Sequence, residues 1–191
     1  MALDGRGMET DADLIGRAGR SAEAFAEVFD RHYQPIYAYA ARRLGPDLAE
    51  DVAAETFLVA FDRRADYDQA RLDARPWLYG IASNLVARHG RAESRRYRTL
   101  ARSAERDVVE PHDDLVAGRV DAAAVRGRLA RALAGLRRPV RDVLLLVAWA
   151  GLSQQEAAVA LDIPAATARS RLHRARRQMR RALDIDIEVG E

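Results

Sequence analysis

Seven arginines crowd into the stretch Arg169–Arg181, and no acid interrupts them. Arg carries a permanent charge and a planar fork of donors, which fits a guanine edge or a phosphate with two bonds. Leu172, Ala175, Met179 and Leu183 recur at helical spacing and give the segment a narrow apolar side. Arg169, His173, Arg176, Arg177 and Arg180 fall on the other side. A solvated surface helix interleaves acids with its arginines at steps of three or four. This one does not, and a major groove admits one α-helix. The chemistry such a helix offers is contact with a polyanion.

The residues before it would position it. Ser153-Gln154-Gln155-Glu156 is a capping box, in which Ser and Glu satisfy each other's free backbone donors. A short helix follows to Leu161. Asp162 tolerates a left-handed turn, and Pro164 opens the last helix. A capped helix, a tight turn and a second helix predict a helix-turn-helix over Ser153–Arg181.

A second basic stripe comprises Asn84, Arg88, Arg91, Arg95 and Arg98, at steps of 4, 3, 4 and 3 that keep one helical face. Arginines in a row suit a phosphate backbone, and an Asn at the start of the row suits a base edge. Gly90 weakens a helix by ~1 kcal/mol relative to Ala, so the stripe is expected to bend there. Tyr67, in a loop, is a candidate to stack on an unpaired base. Trp77 and Trp149 sit among apolar residues and are expected in the core. A third cluster is acidic: Asp47, Glu50, Asp51 and Glu55. Asp47 and Glu50 serve a helix N-terminus. Asp51 and Glu55 lie deeper, one turn apart, where like charges repel, and a basic partner would relieve them.

Composition removes most covalent chemistries. All 31 basic residues are Arg and there is no Cys. Walker A loops and Schiff-base enzymes need Lys, while disulfides and thiolate sites need Cys. The four His residues are scattered, and no Gly-x-Ser-x-Gly elbow is present. No metal, cofactor or enzymatic activity is expected. The longest apolar run, Val143–Leu152, is half the ~20 residues that span a bilayer. The first residues are acidic without an apolar h-region, so no signal peptide and a cytoplasmic location are expected. Charge is uneven. Residues 1–62 hold twelve acids against six Arg, a net −6; residues 84–106 and 153–183 each hold seven Arg against two acids, a net +5. Such a dipolar chain implies one basic and one anionic partner.

Periodicity predicts an all-α fold of two small helical domains joined by a flexible linker, the second containing the helix-turn-helix. Residues 1–10 read as disordered. Asp11 or Asp13 caps a short helix, and a long one from Ser21 buries Phe25, Phe29, Tyr33, Ile36, Ala40 and Leu44, with a kink at Pro35. The next helix runs from Asp47 to Arg63, then a loop over 64–75, then a helix from Pro76 with Leu78, Ile81, Ala82 and Leu85 inward. The pattern fails from Thr99 to Val120. It returns through Val125, Leu129, Leu133 and Leu136, and Pro139 opens a helix burying Val140, Val143, Leu144 and Val147. Boundaries are placed at 11–98, 99–120 for the linker, and 121–183, with a tail at 184–191.

The segments AEDVAAETFLVAF (49–61), RPWLYGIASNLVARHGR (75–91) and GLSQQEAAVALDIPAATARSRLHRARRQMR (151–180), in this order, resemble RNA polymerase sigma factors of the extracytoplasmic-function (ECF) group. The resemblance covers the chain from about residue 20 to 183. It implies that residues 11–98 are region 2 and 121–183 region 4, and that core RNA polymerase and promoter DNA, duplex and melted non-template strand, are the partners. Asp51 and Glu55 would dock on the polymerase clamp. Loop 64–75 and the Asn84 helix, with Tyr67, Arg88, Arg91 and Arg95, would hold the −10 element, Asn84 lining a pocket for a flipped base. Arg169, Ser170, His173 and Arg174 would enter the −35 major groove, with Arg171, Arg176 and Arg177 nearer phosphates. The linker acids Glu110, Asp113 and Asp114 would lie toward the polymerase cleft and imitate RNA. An anti-sigma factor is a further partner the group allows. The sequence departs from the group at Ala166-Thr167-Ala168, at Ala54 and at Asp162. The alternative is a helix-turn-helix regulator that binds duplex DNA without polymerase.

Overall fold

The structure is a computed structural model that describes residues 9–19, 21–109 and 117–183. Among them are α-helices, one 3-10 turn and no strand. In order they are α1 (Asp11–Ala18), α2 (Glu23–Leu44), α3 (Pro46–Asp62), the 3-10 turn Arg64–Asp66, α4 (Arg75–Arg88), α5 (Gly90–Val109), α6 (Ala117–Gly135), α7 (Arg138–Ala148), α8 (Gln154–Ala160) and α9 (Ala165–Leu183). They form two compact units. One holds the residues up to Arg88 with Val159–Asp162; the other holds His89–Ala158 and the residues from Ile163 onward.

In the first unit α1 is capped by Thr10, not by Asp11 or Asp13. The Thr10 hydroxyl accepts the Asp13 N–H at 3.2 Å, and the Asp13 carboxylate accepts the Thr10 N–H at 3.0 Å. Helix α2 runs unbroken past Pro35. Val28, Ile36, Ala40 and Leu44 of α2 are buried with Val52, Ala53 and Phe57 of α3 and Leu78, Ile81, Ala82 and Leu85 of α4. Each set keeps to one helical face, so each helix shows the core one stripe. Arg43 is fully buried among them. It donates to the Tyr39 hydroxyl at 2.6 Å, and that oxygen lies 2.9 Å from Ser83 Oγ. Gly45, at φ 100°, makes the left-handed corner between α2 and α3, which Pro46 then starts.

The second unit corrects the expected end of helical pattern at Thr99. Helix α5 continues to Val109, and α6 begins at Ala117. Its inward stripe is Glu93, Tyr97 and Ala101, all buried at four-residue steps. Two of the three carry polar groups, which hid the period. The stripe closes on Arg141 of α7. Arg141 Nη2 donates to Glu93 Oε2 at 2.8 Å, and Nη1 donates to the carbonyls of Leu133 and Leu136 at 3.1 and 3.3 Å. The guanidinium carbon lies 5.4 Å from the centre of the Tyr97 ring. Helix α7 is also rotated from expectation: Val140, Val143, Leu145 and Leu146 are buried, while Leu144, Val147 and Trp149 are half-buried. Trp77 is half-buried as well, and Val125 and Leu129 are exposed. The expected disordered start, the middle of the linker with Glu110, Asp113 and Asp114, and the tail lie outside the described residues.

Removing one member of a buried ion pair takes away much of what compensates the other's charge in a low dielectric. Arg141→Ala should therefore destabilise the protein by about 3–5 kcal/mol in urea denaturation. A loss under about 1 kcal/mol, the size of an exposed pair, would contradict the buried linkage.

Candidate nucleic-acid interface

The capping box forms as expected. Glu156 N donates to Ser153 Oγ at 3.2 Å, and Ser153 N donates to the Glu156 carboxylate at 2.6 Å. Asp162 takes φ 49°, and among the described residues it is the one non-glycine with a positive φ. Its turn is fastened by Ile163 N donating to Ala158 O at 3.0 Å. Helix α9 then buries Ala168, Leu172 and Ala175. Arg169, Ser170, His173, Arg174, Arg176 and Arg177 are exposed, and Arg171 is half-buried. Ser170 Oγ donates to Thr167 O at 3.0 Å, so that hydroxyl keeps its lone pairs outward. Among the described residues no carboxylate pairs with an α9 arginine. Elsewhere pairing is frequent: Arg31 with Asp11, Arg71 with Asp68, Arg75 with Asp73, Arg88 with Glu55 and Arg141 with Glu93.

The second stripe is divided. Helix α4 ends at Arg88 and α5 begins at Gly90, which puts Asn84 and Arg88 in the first unit and Arg91 and Arg95 in the second. All four are exposed. The break falls where Gly90 was expected to bend the stripe. Arg88 is not a free cation: its Nη1 lies 2.7 Å from Glu55 Oε1. Residues assigned to two different partners thus meet on α3 and α4.

Tyr67 is corrected. Its side chain is only 6% exposed, so it is no open stacking platform. The ring packs 5.0 Å from Trp77, and the hydroxyl donates to Arg71 O. Burial, then the carboxylates of Asp11 and Asp73, push its phenol far up, so it remains a neutral donor. Asp68 Oδ1 accepts Ala70 N at 3.1 Å, and the two contacts make 67–71 a self-supporting turn. Leu72, 64% exposed, stands on that loop.

On α3, Asp51 is exposed and Glu55 half-exposed. Leu58, 67% exposed, lies two turns beyond Asp51 and one beyond Glu55. Sequence reasoning passed over it. The signal was present, because Leu58 is out of phase with the inward residues Val52 and Thr56. A second omission is Asp11, only 7% exposed, whose Oδ2 lies 2.8 Å from His32 Nε2 and accepts Ala74 N at 2.9 Å. Contacts across 21 and 63 residues leave no periodic trace. No group of three metal-ligating side chains, and no helix long and apolar enough to cross a membrane, occurs among the described residues.

Known proteins share this arrangement. Residues 28–96 match Sigma-70 region 2 and residues 126–179 match Sigma-70, region 4. The ECF RNA polymerase sigma factor SigL of Mycobacterium tuberculosis is 31% identical over 173 residues, covering 90% of this chain and 96% of SigL. The ECF RNA polymerase sigma factor SigK of Mycobacterium bovis is 27% identical over 181 residues, covering 93% and 96%. Among solved structures, CnrH in complex with the cytosolic domain of CnrY has a TM-score of 0.64 at 26% identity, over 93% of this chain and 99% of that one. RpoE of Bartonella quintana, in complex with the anti-sigma factor NepR, shares the fold at a TM-score of 0.59 and 20% identity, over 86% and 99%. The chain is a sigma factor of the sigma-70 type, and it belongs to the ECF RNA polymerase sigma factor family.

Burial raises the Asp11 carboxyl, but hydrogen bonds from His32 and Ala74 N, the His32 charge and Arg31 outweigh it and hold the pKa below the ordinary 3.8. The folded state therefore binds protons less readily than the unfolded one. The stabilisation is complete above pH 3.8 and is lost as pH falls through the lower folded value. Asp11→Asn should lower the melting temperature at pH 7, and the gap should close on acidification below pH 3.8. A gap that widens in acid would reverse the sign.

Proposed function

We propose that this chain lends promoter specificity to core RNA polymerase and, once bound, helps to open the promoter. The observation that carries this is the face of α9, where arginine after arginine lies in solvent and, among the described residues, none has a carboxylate partner, unlike Arg31, Arg71, Arg75 and Arg88. Arg169, Ser170, His173 and Arg174 read base edges of the −35 element, and Arg171, Arg176 and Arg177 hold its phosphates. Loop 64–74 and Asn84 meet the melted −10 strand, with Arg91 and Arg95 along its backbone. Arg88 serves there only after it leaves Glu55. Capturing an extruded base in a pocket offsets part of an unstacking cost of a few kcal/mol. Asp51, Glu55 and Leu58 make the surface that docks on polymerase, acid toward a basic partner with one apolar anchor.

The chain does no covalent chemistry in this scheme and works in the cytoplasm, where polymerase is. Two modest DNA grips become one strong one when polymerase holds both at fixed separation. An anti-sigma factor, the kind of partner RpoE of Bartonella quintana is solved with, would act by covering these surfaces. A regulator that binds duplex DNA alone has no use for an acidic face beside a melted-strand loop.

Core polymerase reconstituted with the chain should start transcription at sites that share one −35 and one −10 sequence, read by transcript sequencing. Arg169→Ala or Arg174→Ala should each cost about 1–3 kcal/mol at its own base pair. Unchanged promoter preference would remove that residue from the base-reading set. Asp51→Arg should abolish co-purification with core polymerase while changing stability by no more than about 0.5 kcal/mol, as an exposed substitution does. Normal co-purification would move the docking surface off α3.

A further inference from the structure

We propose that α1 is a brace that sets the shape of loop 64–74, with Asp11 as its positioning residue. Helix α1 precedes residue 28, where the match to Sigma-70 region 2 begins. It is nevertheless built into the core: Ala12, Leu14, Ile15 and Ala18 are all buried. It meets the loop at three points, by a hydrogen bond at each end and by close packing between. At the loop's start, Arg64 Nε donates to Ala18 O, the last carbonyl of α1, at 3.1 Å. In its middle, the Gln69 amide lies over Gly16, so close that a Cβ there would sit 3.1 Å from Oε1. At its end, Ala74 N donates to Asp11 Oδ2 at 2.9 Å. Ala74 is the residue before α4, so this bond fixes where the loop stops and the Asn84 helix starts.

Asp11 is itself held. His32 Nε2 lies 2.8 Å from Oδ2, and Arg31 Nη1 lies 3.4 Å from Oδ1 and 2.8 Å from Glu9 O. Arg64 is held by donating to Phe61 O at 2.6 Å, with its guanidinium 4.0 Å above the Phe61 ring. The loop between the two anchors turns on its own hydrogen bonds and presents Asp68, Gln69, Arg71 and Leu72 to solvent. A loop tied at both ends has fewer shapes to lose when it meets its ligand, so less of the binding free energy is spent on ordering it. Displacement of such a segment by an ångström weakens whatever it positions.

The functional half of this inference rests on the reading that loop 64–74 meets the melted −10 strand. The test compares the full wild-type chain with Asp11→Asn and Arg64→Met. Arg64→Met keeps the stem over Phe61 and leaves the Asp11 cluster untouched, in case Asp11→Asn fails to fold. Hydrogen exchange should accelerate by about tenfold or more in 67–74 and by far less in α3, where only the lower global stability is felt. In reconstituted holoenzyme at a mapped promoter, permanganate-reactive open complexes should fall about fivefold or more with core affinity unchanged. Acceleration in α2, α3 and α4 as large as that in 67–74 would make Asp11 only a general stabiliser and overturn the brace. So would a loosened loop with normal promoter opening, or no change in 67–74 in either variant. A wild-type chain that opens no promoter with core polymerase overturns the −10 reading itself, while the exchange data still accept or reject the brace.

Discussion

Every basic side chain in this protein other than His is a guanidinium, and a guanidinium cannot shed its charge near neutral pH. Each one must therefore find an acceptor or stay in water. The fold meets this constraint differently in different places. Arg43 and Arg141 are buried and spend their donors on a phenol, a carboxylate and main-chain carbonyls. Arg31 and Arg64 lie along α1 and tie it to its neighbours. Arg71, Arg75 and Arg88 have carboxylates in reach. On α9 none of the described contacts is of this kind. A helix that forgoes its own i,i+4 ion pairs gives up a few tenths of a kcal/mol for each, and a polyanion recovers that many times over through phosphate contact and counterion release.

The rest of the fold delivers that helix and its counterpart loop. Capping by Ser153 and Glu156, and the left-handed Asp162, aim α9 outward on a base of Ala168, Leu172 and Ala175. In the other unit, α2, α3 and α4 share one apolar core, which leaves the acids of α3 and the Asn84 side of α4 in solvent. The Glu55–Arg88 pair joins these two faces. It is exposed and so modest in strength, which suits a contact that, in the proposed function, opens when each partner arrives.

Amphipathic helices, caps and turns were legible because each is written in neighbouring residues. The stripe Leu78, Ile81, Ala82, Leu85, the box Ser153–Glu156 and the turn at Asp162 all stand where local spacing put them. What was hidden is what depends on distant residues. Local spacing ends α5 at Thr99 because its buried stripe, Glu93-Tyr97-Ala101, reads as polar until Arg141 is placed against it. It misplaces the inward face of α7 because a run such as Val143–Val147 is apolar all round and carries no phase. Tyr67 reads as a free ring because its loop is polar, yet Trp77 covers it. Asp11 reads as a cap, but its partners His32 and Ala74 come from other elements. The absence of acids among the α9 arginines is local in the same way as the caps and turns, and needs no tertiary contact to be seen.

In the proposed function the arginines of α9, none of which has a carboxylate partner among the described residues, are reserved for promoter DNA and act there only when polymerase carries the chain. Duplex binding by the full chain, alone and with core polymerase, measured across a salt titration, tests it most directly. Sequence-specific binding should appear only with core polymerase, and each phosphate-contacting arginine of α9 replaced by alanine should reduce the salt slope by about one. Specific binding of equal affinity by the chain alone, or a slope indifferent to those arginines, would contradict it.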